Sequence, residues 1–227
     1  MKRNVFFLIC ILTTFFIFSE NKIKIIDIKG NVTQRYREND WEKVEEKSEV
    51  LEGTEFFTGF HSSISFEIGN GSYITINQLS NIVFDKFIEN KEIIRINIFL
   101  LGGYAVVYSK SKNDNIYIYC EENIISFNKS GGEVYFKNNS GILINCDSGK
   151  IKITSKFKNS YFIGKNEICG IDVNGKIIEN DYFLRRNSNT ISNDRKNEND
   201  IISYFDLFFQ PYSLEPQKND YSDNLNP

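Results

Sequence analysis

The chain has 227 residues, of which 41% are hydrophobic and 15% aromatic, so it can bury the core of one principal domain. Its formal net charge of −3 at pH 7 disfavours nucleic acid and anionic membrane surfaces as partners of the chain as a whole. Ala is nearly absent while Ile, Phe and Tyr are frequent, and this composition favours strands over helices.

The first twenty residues, MKRNVFFLICILTTFFIFSE, have the pattern of a secretory signal. Two cations precede an uncharged apolar run over 5–18, which is shorter than the roughly 20 residues that cross a bilayer. We predict a cleaved signal peptide over 1–19, with retention as a short N-terminal anchor in the inner membrane as the alternative. Cys10 lies within the apolar run without a small residue before it, so lipid attachment is not expected there. The chain is therefore expected outside the cytoplasm.

From residue 22 to residue 180 the sequence consists of short apolar segments separated by Gly, Asn, Asp and Ser. Several of these segments alternate apolar and polar residues, which is the period of a strand with two unlike faces. The predicted strands are 23–28, 63–68, 73–76, 82–88, 93–100, 104–108, 115–120, 123–127, 133–136, 142–145, 151–154, 161–163 and 168–173. We predict an all-β domain of many short antiparallel strands that form a twisted sandwich, a roll or a short solenoid.

Glycine-containing stretches divide these strands. Gly69-Asn70-Gly71 is followed by strand-like sequence, whereas a phosphate-binding loop requires a helix at that point, so the stretch predicts a β-hairpin. Further turns are predicted at 102–103, 130–132, 148–150 and 174–176. Their spacing is too irregular for a true repeat.

No residues assemble a recognisable active site, and we predict no catalytic, cofactor-binding or metal-binding residues. His61 has no Cys or His at metal-ligand spacing, and the adjacent Ser62 and Ser63 form no nucleophile motif. The acidic pairs at 45–46 and 121–122 are typical of solvated loops. The many Phe and Tyr residues are expected mainly in the core, with a sugar-stacking platform as the alternative.

Three cysteines remain after the predicted cleavage: Cys120, Cys146 and Cys169. An odd number permits at most one internal disulfide, and a domain of this size does not require one. Buried thiols and one periplasmic disulfide both stay open.

Past residue 180 the sequence becomes polar, and we predict a linker and a mostly irregular tail over 181–227. One short apolar segment, IISYFDLFFQPY at 201–212, interrupts it. We predict that this segment forms a short helix or an extended stretch lying against the β domain. Docking to another protein is the alternative.

The order of motifs over 26–80 resembles the extracytoplasmic FecR-like domain. The elements are a Gly-x-Val opening, one Trp, Leu-x-Gly, a Thr-Gly turn, a Gly-Ser turn and a closing strand with Ser. They fall on Gly30, Val32, Trp41, Leu51, Gly53, Thr58, Gly71, Ser72, Ile74 and Ser80. The stretches 99–108 and 134–154 are similar to the second half of that domain.

The resemblance implies an architectural domain over 22–180 that supplies surfaces and not catalytic groups. It predicts a non-enzymatic, exported binding or scaffold module in the bacterial cell envelope, whose partner is an envelope protein or a cell-wall polymer. The alternative is a periplasmic sensory or signalling component, related to FecR-type regulators, that acts through a separate membrane partner. Sigma-factor control by this chain alone is not expected, because only four residues precede the apolar run. Membrane contact is expected only through the N-terminal apolar segment if it is uncleaved.

The strand pattern and the motif residues also predict which side chains fill the core. Trp41 is expected to anchor the first hairpin layer. The remaining expected core residues are Phe66, Ile74, Ile76, Ile118 and Val134.

Overall fold

The computed structural model describes residues 23–178 except 47, 49, 70 and 90–92. The predicted signal segment 1–19 and the predicted tail 181–227, with its apolar segment 201–212, lie outside the described residues. No helix in the described part of the chain is long and apolar enough to cross a membrane.

The described residues form sixteen β-strands, which confirms the predicted all-β class. The strands are β1 (Ile23–Lys29), β2 (Val32–Tyr36), β3 (Glu42–Lys43), β4 (Thr54–Thr58), β5 (Ser63–Ile68), β6 (Ser72–Ile76), β7 (Asn81–Glu89), β8 (Ile94–Tyr108), β9 (Asp114–Cys120), β10 (Asn123–Asn128), β11 (Gly131–Lys137), β12 (Gly141–Ser148), β13 (Lys150–Thr154), β14 (Ser160–Gly164), β15 (Glu167–Ile171) and β16 (Ile177–Ile178). Each predicted strand lies within or largely overlaps one of them.

The strands form two layers that share β8. The first sheet has the order β1-β5-β6-β8-β11-β12-β15-β16. The second sheet has the order β3-β2-β4-β7-β8-β9-β10-β13-β14. Among the described strands, every pairing is antiparallel except that of β8 with β9. These two strands are parallel because the C-terminal part of β8 lies in the first sheet, and the chain then returns to the second sheet to begin β9.

The long strand β8 corrects one prediction. The sequence predicted two strands, 93–100 and 104–108, with a turn at 102–103, whereas the chain continues as one strand through both glycines. Residues 94–100 pair in the second sheet and residues 104–108 pair in the first, so the glycines mark the point at which β8 changes sheets. The backbone at Gly103 has φ of 105° there. Glycine at a sheet corner permits such a bend because it has no Cβ.

Two other predicted turns have different outcomes. Gly69 and Gly71 have φ of 56° and 104°, and they connect β5 to β6 through the closing pair Ile68 and Ser72, which confirms the predicted hairpin. In contrast, Gly131 and Gly132 do not turn the chain but open strand β11. An added Cβ at Gly132 would lie 2.1 Å from the Asn145 carbonyl oxygen, so this glycine permits close approach of two backbones.

The core lies between the two sheets. Phe56 of β4 and Phe84 of β7 come from the second sheet and pack against Phe66 of β5 from the first. The ring centroids of Phe66 are 5.0 Å from Phe56 and 4.9 Å from Phe84, in edge-to-face geometry. The five predicted core residues other than Trp41 have no exposed side-chain surface: Phe66, Ile74, Ile76, Ile118 and Val134.

The prediction that Trp41 is buried is wrong, because 42% of its surface is exposed. Trp41 directly precedes the short strand β3, which lies at the edge of the second sheet beside β2. Its ring lies 4.7 Å from the guanidinium carbon of Arg35, which forms an ion pair of 2.7 Å with Glu55. The aromatic ring therefore covers a charged pair on the outer surface of the sheet.

We expect Trp41→Ala to lower the free energy of unfolding by about 1 kcal/mol or less, because an exposed cation–π contact contributes about 0.5–1 kcal/mol. Chemical denaturation of the full chain measures this change. The comparison variant is Arg35→Lys, which keeps the charge and alters the stacked guanidinium. A loss of several kcal/mol in Trp41→Ala would show that the indole is part of the core.

Candidate binding surface

The side chains around His61 stabilise a turn. His61 has φ of 52°, and its backbone N–H donates to Oε1 of Gln78 at 3.0 Å. The hydroxyl of Ser62 accepts the Asn31 N–H at 2.8 Å and donates to the Phe60 carbonyl at 2.9 Å. Among the described residues, no three His, Cys, Asp or Glu side chains lie close enough to hold a metal ion.

Glu121, from one of the two acidic pairs, borders a crevice. Glu121, in the turn between β9 and β10, lines this solvent-open crevice together with Asp172. Oδ1 of Asp172 accepts the backbone N–H groups of Asn174 at 2.9 Å and of Lys176 at 2.8 Å. This carboxylate therefore holds the turn before β16, and the crevice gains one acidic group from each of two turns.

Three hydroxyl residues of the FecR-like pattern are completely buried and connect strands. The Thr58 hydroxyl accepts the Ser80 N–H at 3.0 Å, and the Ser80 hydroxyl accepts the Tyr104 N–H at 2.8 Å. The Ser72 hydroxyl donates to Oδ2 of Asp114 at 2.6 Å. Since buried polar groups require partners, these positions satisfy backbone and carboxylate groups inside the fold. These three positions therefore have structural roles.

The outer face of the first sheet carries an aromatic cluster. Strand alternation directs Tyr73, Tyr104, Tyr108 and Tyr135 outward, opposite the core residues beside them. Register then brings them together: Tyr73 is opposite Tyr108, with ring centroids 5.1 Å apart, and Tyr104 is opposite Tyr135, with centroids 3.9 Å apart. We call these four tyrosines together with Glu133 the tyrosine face.

Glu133 lies on β11 in the row between the two tyrosine pairs, opposite Val106 and Asn145 on the neighbouring strands. Burial raises the pKa of the Glu133 carboxyl group, and repulsion from Asp147 raises it further. Hydrogen bonds from Tyr104, Asn145 and Tyr135 act in the opposite direction and lower it. Burial also raises the pKa of the Tyr104 and Tyr135 hydroxyl groups, so both remain protonated and can donate hydrogen bonds. The one carboxyl group of the face therefore accepts hydrogen bonds from neutral donors.

The raised pKa makes the stability contribution of Glu133 dependent on pH. In the window between the carboxyl's unfolded-state pKa and its raised folded-state pKa, the folded protein binds more protons than the unfolded chain, so the unfolding free energy falls as pH rises. We expect Glu133→Gln to remove this fall, so that the variant gains stability relative to wild type between pH 4 and pH 7.5. Urea unfolding at both pH values measures the difference. Parallel profiles of the two proteins would contradict the expectation.

The three cysteines face the core and are not joined in disulfides. Burial raises the pKa of the Cys120 thiol, and also that of the Cys146 thiol. Cys146 pairs with Glu167, and Cys169 pairs with Ile144, so the two thiols on β12 and β15 are not directly opposite each other. The sequence left open buried thiols or one disulfide, and the structure has buried thiols at all three positions.

No family model and no curated protein sequence matches this chain. Two crystal structures of a "putative anti-sigma factor" from Parabacteroides distasonis ATCC 8503, at 1.65 and 2.50 Å resolution, align with it. Each has a TM-score of 0.46 and 10% sequence identity, and each alignment covers 69% of this chain and 74% of that chain. Similarity of this size carries no functional assignment.

Proposed function

We propose that this chain is a non-enzymatic, exported module with a FecR-like domain that binds a protein or a cell-wall polymer in the bacterial cell envelope. The tyrosine face is the contact surface. One observation carries this proposal: four tyrosines from three neighbouring strands, β6, β8 and β11, form two stacked pairs on either side of the row that holds Glu133, on the outside of an all-β fold.

The chemistry of the tyrosine face suits recognition. Tyrosine combines a large apolar ring with a hydroxyl group and is enriched at binding interfaces. The paired rings are already ordered by stacking, so binding would immobilise few side chains. Glu133 and Asn145 add polar groups that can orient a peptide or a sugar against the rings.

Photo-crosslinking in intact cells tests the proposal. A benzoylphenylalanine residue replaces Tyr73 in the full chain, because Tyr73 is 41% exposed at the rim of the tyrosine face. The matched control replaces Phe57, which is also 41% exposed but lies on the outer face of the second sheet. We expect discrete crosslinked products from Tyr73 and none from Phe57, and mass spectrometry identifies the partner.

Two further variants make the test specific. Glu133→Ala, introduced into the Tyr73 crosslinking chain, should reduce the crosslinked product because it removes the carboxyl group of the tyrosine face. Glu122→Ala removes an exposed carboxylate in the turn between β9 and β10 of the second sheet and should have a smaller effect. Equal products from Tyr73 and Phe57, or none from Tyr73, would refute the tyrosine face as the contact surface.

The sensory alternative uses the same fold with a different partner. The FecR-like order of buried motif residues, such as Thr58 and Ser80, supports it. A crosslinked product that contains an integral membrane protein would favour this alternative over a polymer-binding scaffold. Unchanged transcripts after gene deletion, under iron limitation and envelope stress, would exclude it.

A further inference from the structure

One half of the second sheet presents an outer face with only positive charge. It consists of residues 94–100 of β8 together with β9, β10, β13 and β14. These five segments contain three cations, Arg95, Lys150 and Lys152, and each is on the outer face. Their one carboxylate, Asp114, is buried and accepts the Ser72 hydroxyl. We call this outer surface the basic face.

Aromatic side chains lie between the cations of the basic face. Tyr117 is opposite Ser126, Ser126 is opposite Lys152, and Lys152 is opposite Phe162, so these four side chains form one row across β9, β10, β13 and β14. The Arg95 guanidinium carbon lies 4.7 Å from the Tyr117 ring, and the Lys150 Nζ lies 4.8 Å from the Phe162 ring. Phe162 nevertheless remains 49% exposed.

The turn that joins β13 to β14 extends the same combination. It presents Phe157, which is 62% exposed, between Lys156 and Lys158. The stretch 150–165 contains five lysines and no acidic residue. A cluster of cations beside exposed Phe rings is the composition of a surface that lies at a lipid–water interface.

We propose that the basic face lies on the surface of a bilayer that contains anionic phospholipid. Anionic headgroups attract lysines and arginine within about one Debye length, roughly 8 Å at physiological salt. The Phe rings enter the boundary between headgroups and acyl chains. A Phe ring has no hydrogen-bonding group, so its transfer from water to this boundary is favourable.

The net charge of −3 predicted weak attraction to such a membrane, but that value averages over the whole chain. Because screening limits each interaction to the nearest charges, the local set decides the attraction. The tyrosine face and the neighbouring Asp147 of β12 are on the first sheet. Contact through the basic face therefore leaves the tyrosine face directed away from the lipid.

A tryptophan placed in each face tests the proposal with the full chain. Phe162→Trp reports on the basic face and Tyr73→Trp on the tyrosine face, and the native signal of Trp41 is measured in the wild-type chain. The vesicles contain phosphatidylglycerol and phosphatidylcholine with brominated acyl chains, which quench tryptophan on contact. We expect quenching of Phe162→Trp and not of Tyr73→Trp. This readout is specific to each face even if the N-terminal segment holds every variant on the vesicle.

Charge variants in the Phe162→Trp chain complete the test. Lys150→Gln with Lys152→Gln should weaken lipid contact of the face about 25-fold, at about fivefold for each lysine. Lys24→Gln with Lys29→Gln removes the same charge from β1 and should leave the quenching unchanged. Both pairs replace exposed side chains, and circular dichroism checks the fold.

Several results would overturn the proposal. These are equal quenching of both tryptophans, equal quenching by vesicles of phosphatidylcholine alone, or the same effect from both lysine pairs. Heparin is the probe for an anionic polymer. Heparin binding that requires Lys150 and Lys152, without quenching by the brominated vesicles, would assign the basic face to a polymer.

Discussion

Replacing Gly103 by Ala is expected to destabilise the protein by about 3 kcal/mol or more. Gly103 has a backbone φ of 105°, which residues other than glycine rarely adopt. It lies at the point where β8 passes from the second sheet to the first. An added Cβ would lie 2.2 Å from the Ser80 hydroxyl oxygen and 2.5 Å from the Ser80 Cα. Because a backbone atom cannot rotate away, either β8 or the turn before β7 must move. Movement there would also break the hydrogen bond from the Tyr104 N–H to the Ser80 hydroxyl.

The neighbouring glycine supplies a matched control. Gly102 has no heavy atom within 4 Å of an added Cβ, and its φ is outside the positive range. Gly102→Ala should therefore change the unfolding free energy by less than about 1 kcal/mol. Urea unfolding compares the two variants under the same conditions. Similar stability of Gly103→Ala and Gly102→Ala would contradict a steric requirement at the sheet crossing.

Replacing Phe56 by Ala is expected to cost about 3–5 kcal/mol, as is typical for a buried aromatic residue. The Phe56 ring is completely buried and contacts Phe66 of the other sheet and Phe84 of the neighbouring strand, at centroid distances of 5.0 and 5.9 Å. Its removal leaves a cavity between the sheets and deletes two edge-to-face contacts. Calorimetry and urea unfolding both measure the loss.

The next residue in β4 provides the comparison, because it has the same side chain on the opposite face. Phe57 is 41% exposed, so Phe57→Ala should cost clearly less than Phe56→Ala. A cost for Phe57→Ala equal to that of Phe56→Ala would mean that a partner surface covers the outer face in solution. A small cost for both variants would show that the two sheets do not pack through this cluster.

The tyrosine face and the basic face together suggest an oriented molecule. One sheet directs the tyrosines and Glu133 outward, and the other directs Arg95, Lys150 and Lys152 outward. If both proposals hold, the basic face rests on lipid while the tyrosine face meets the partner. Crosslinking at Tyr73 should then persist in Lys150→Gln with Lys152→Gln in solution, because the two surfaces lie on different sheets.

The sequence by itself determined the local features of this fold. Alternation over 115–120 identified β9 and its buried side, since a strand has a period of two whatever its partners are. The glycines at 69 and 71 identified the β5–β6 hairpin, because its turn depends on adjacent residues only. Strands β2 and β4 were missed because their sequences, VTQRY and TEFFT, contain polar residues in inward positions and lack clear alternation.

The tertiary structure alone decided how these elements meet. Glycines at 102–103 are compatible with a turn or with a bend in a continuous strand, and only the partners β7, β6 and β11 make β8 continuous. Trp41 is apolar by composition, but its place beside an edge strand leaves it exposed against Arg35. The tyrosine face and the basic face likewise depend on strands distant in sequence. Alternation specifies which side of its own strand a residue occupies, whereas register between distant strands specifies its neighbours.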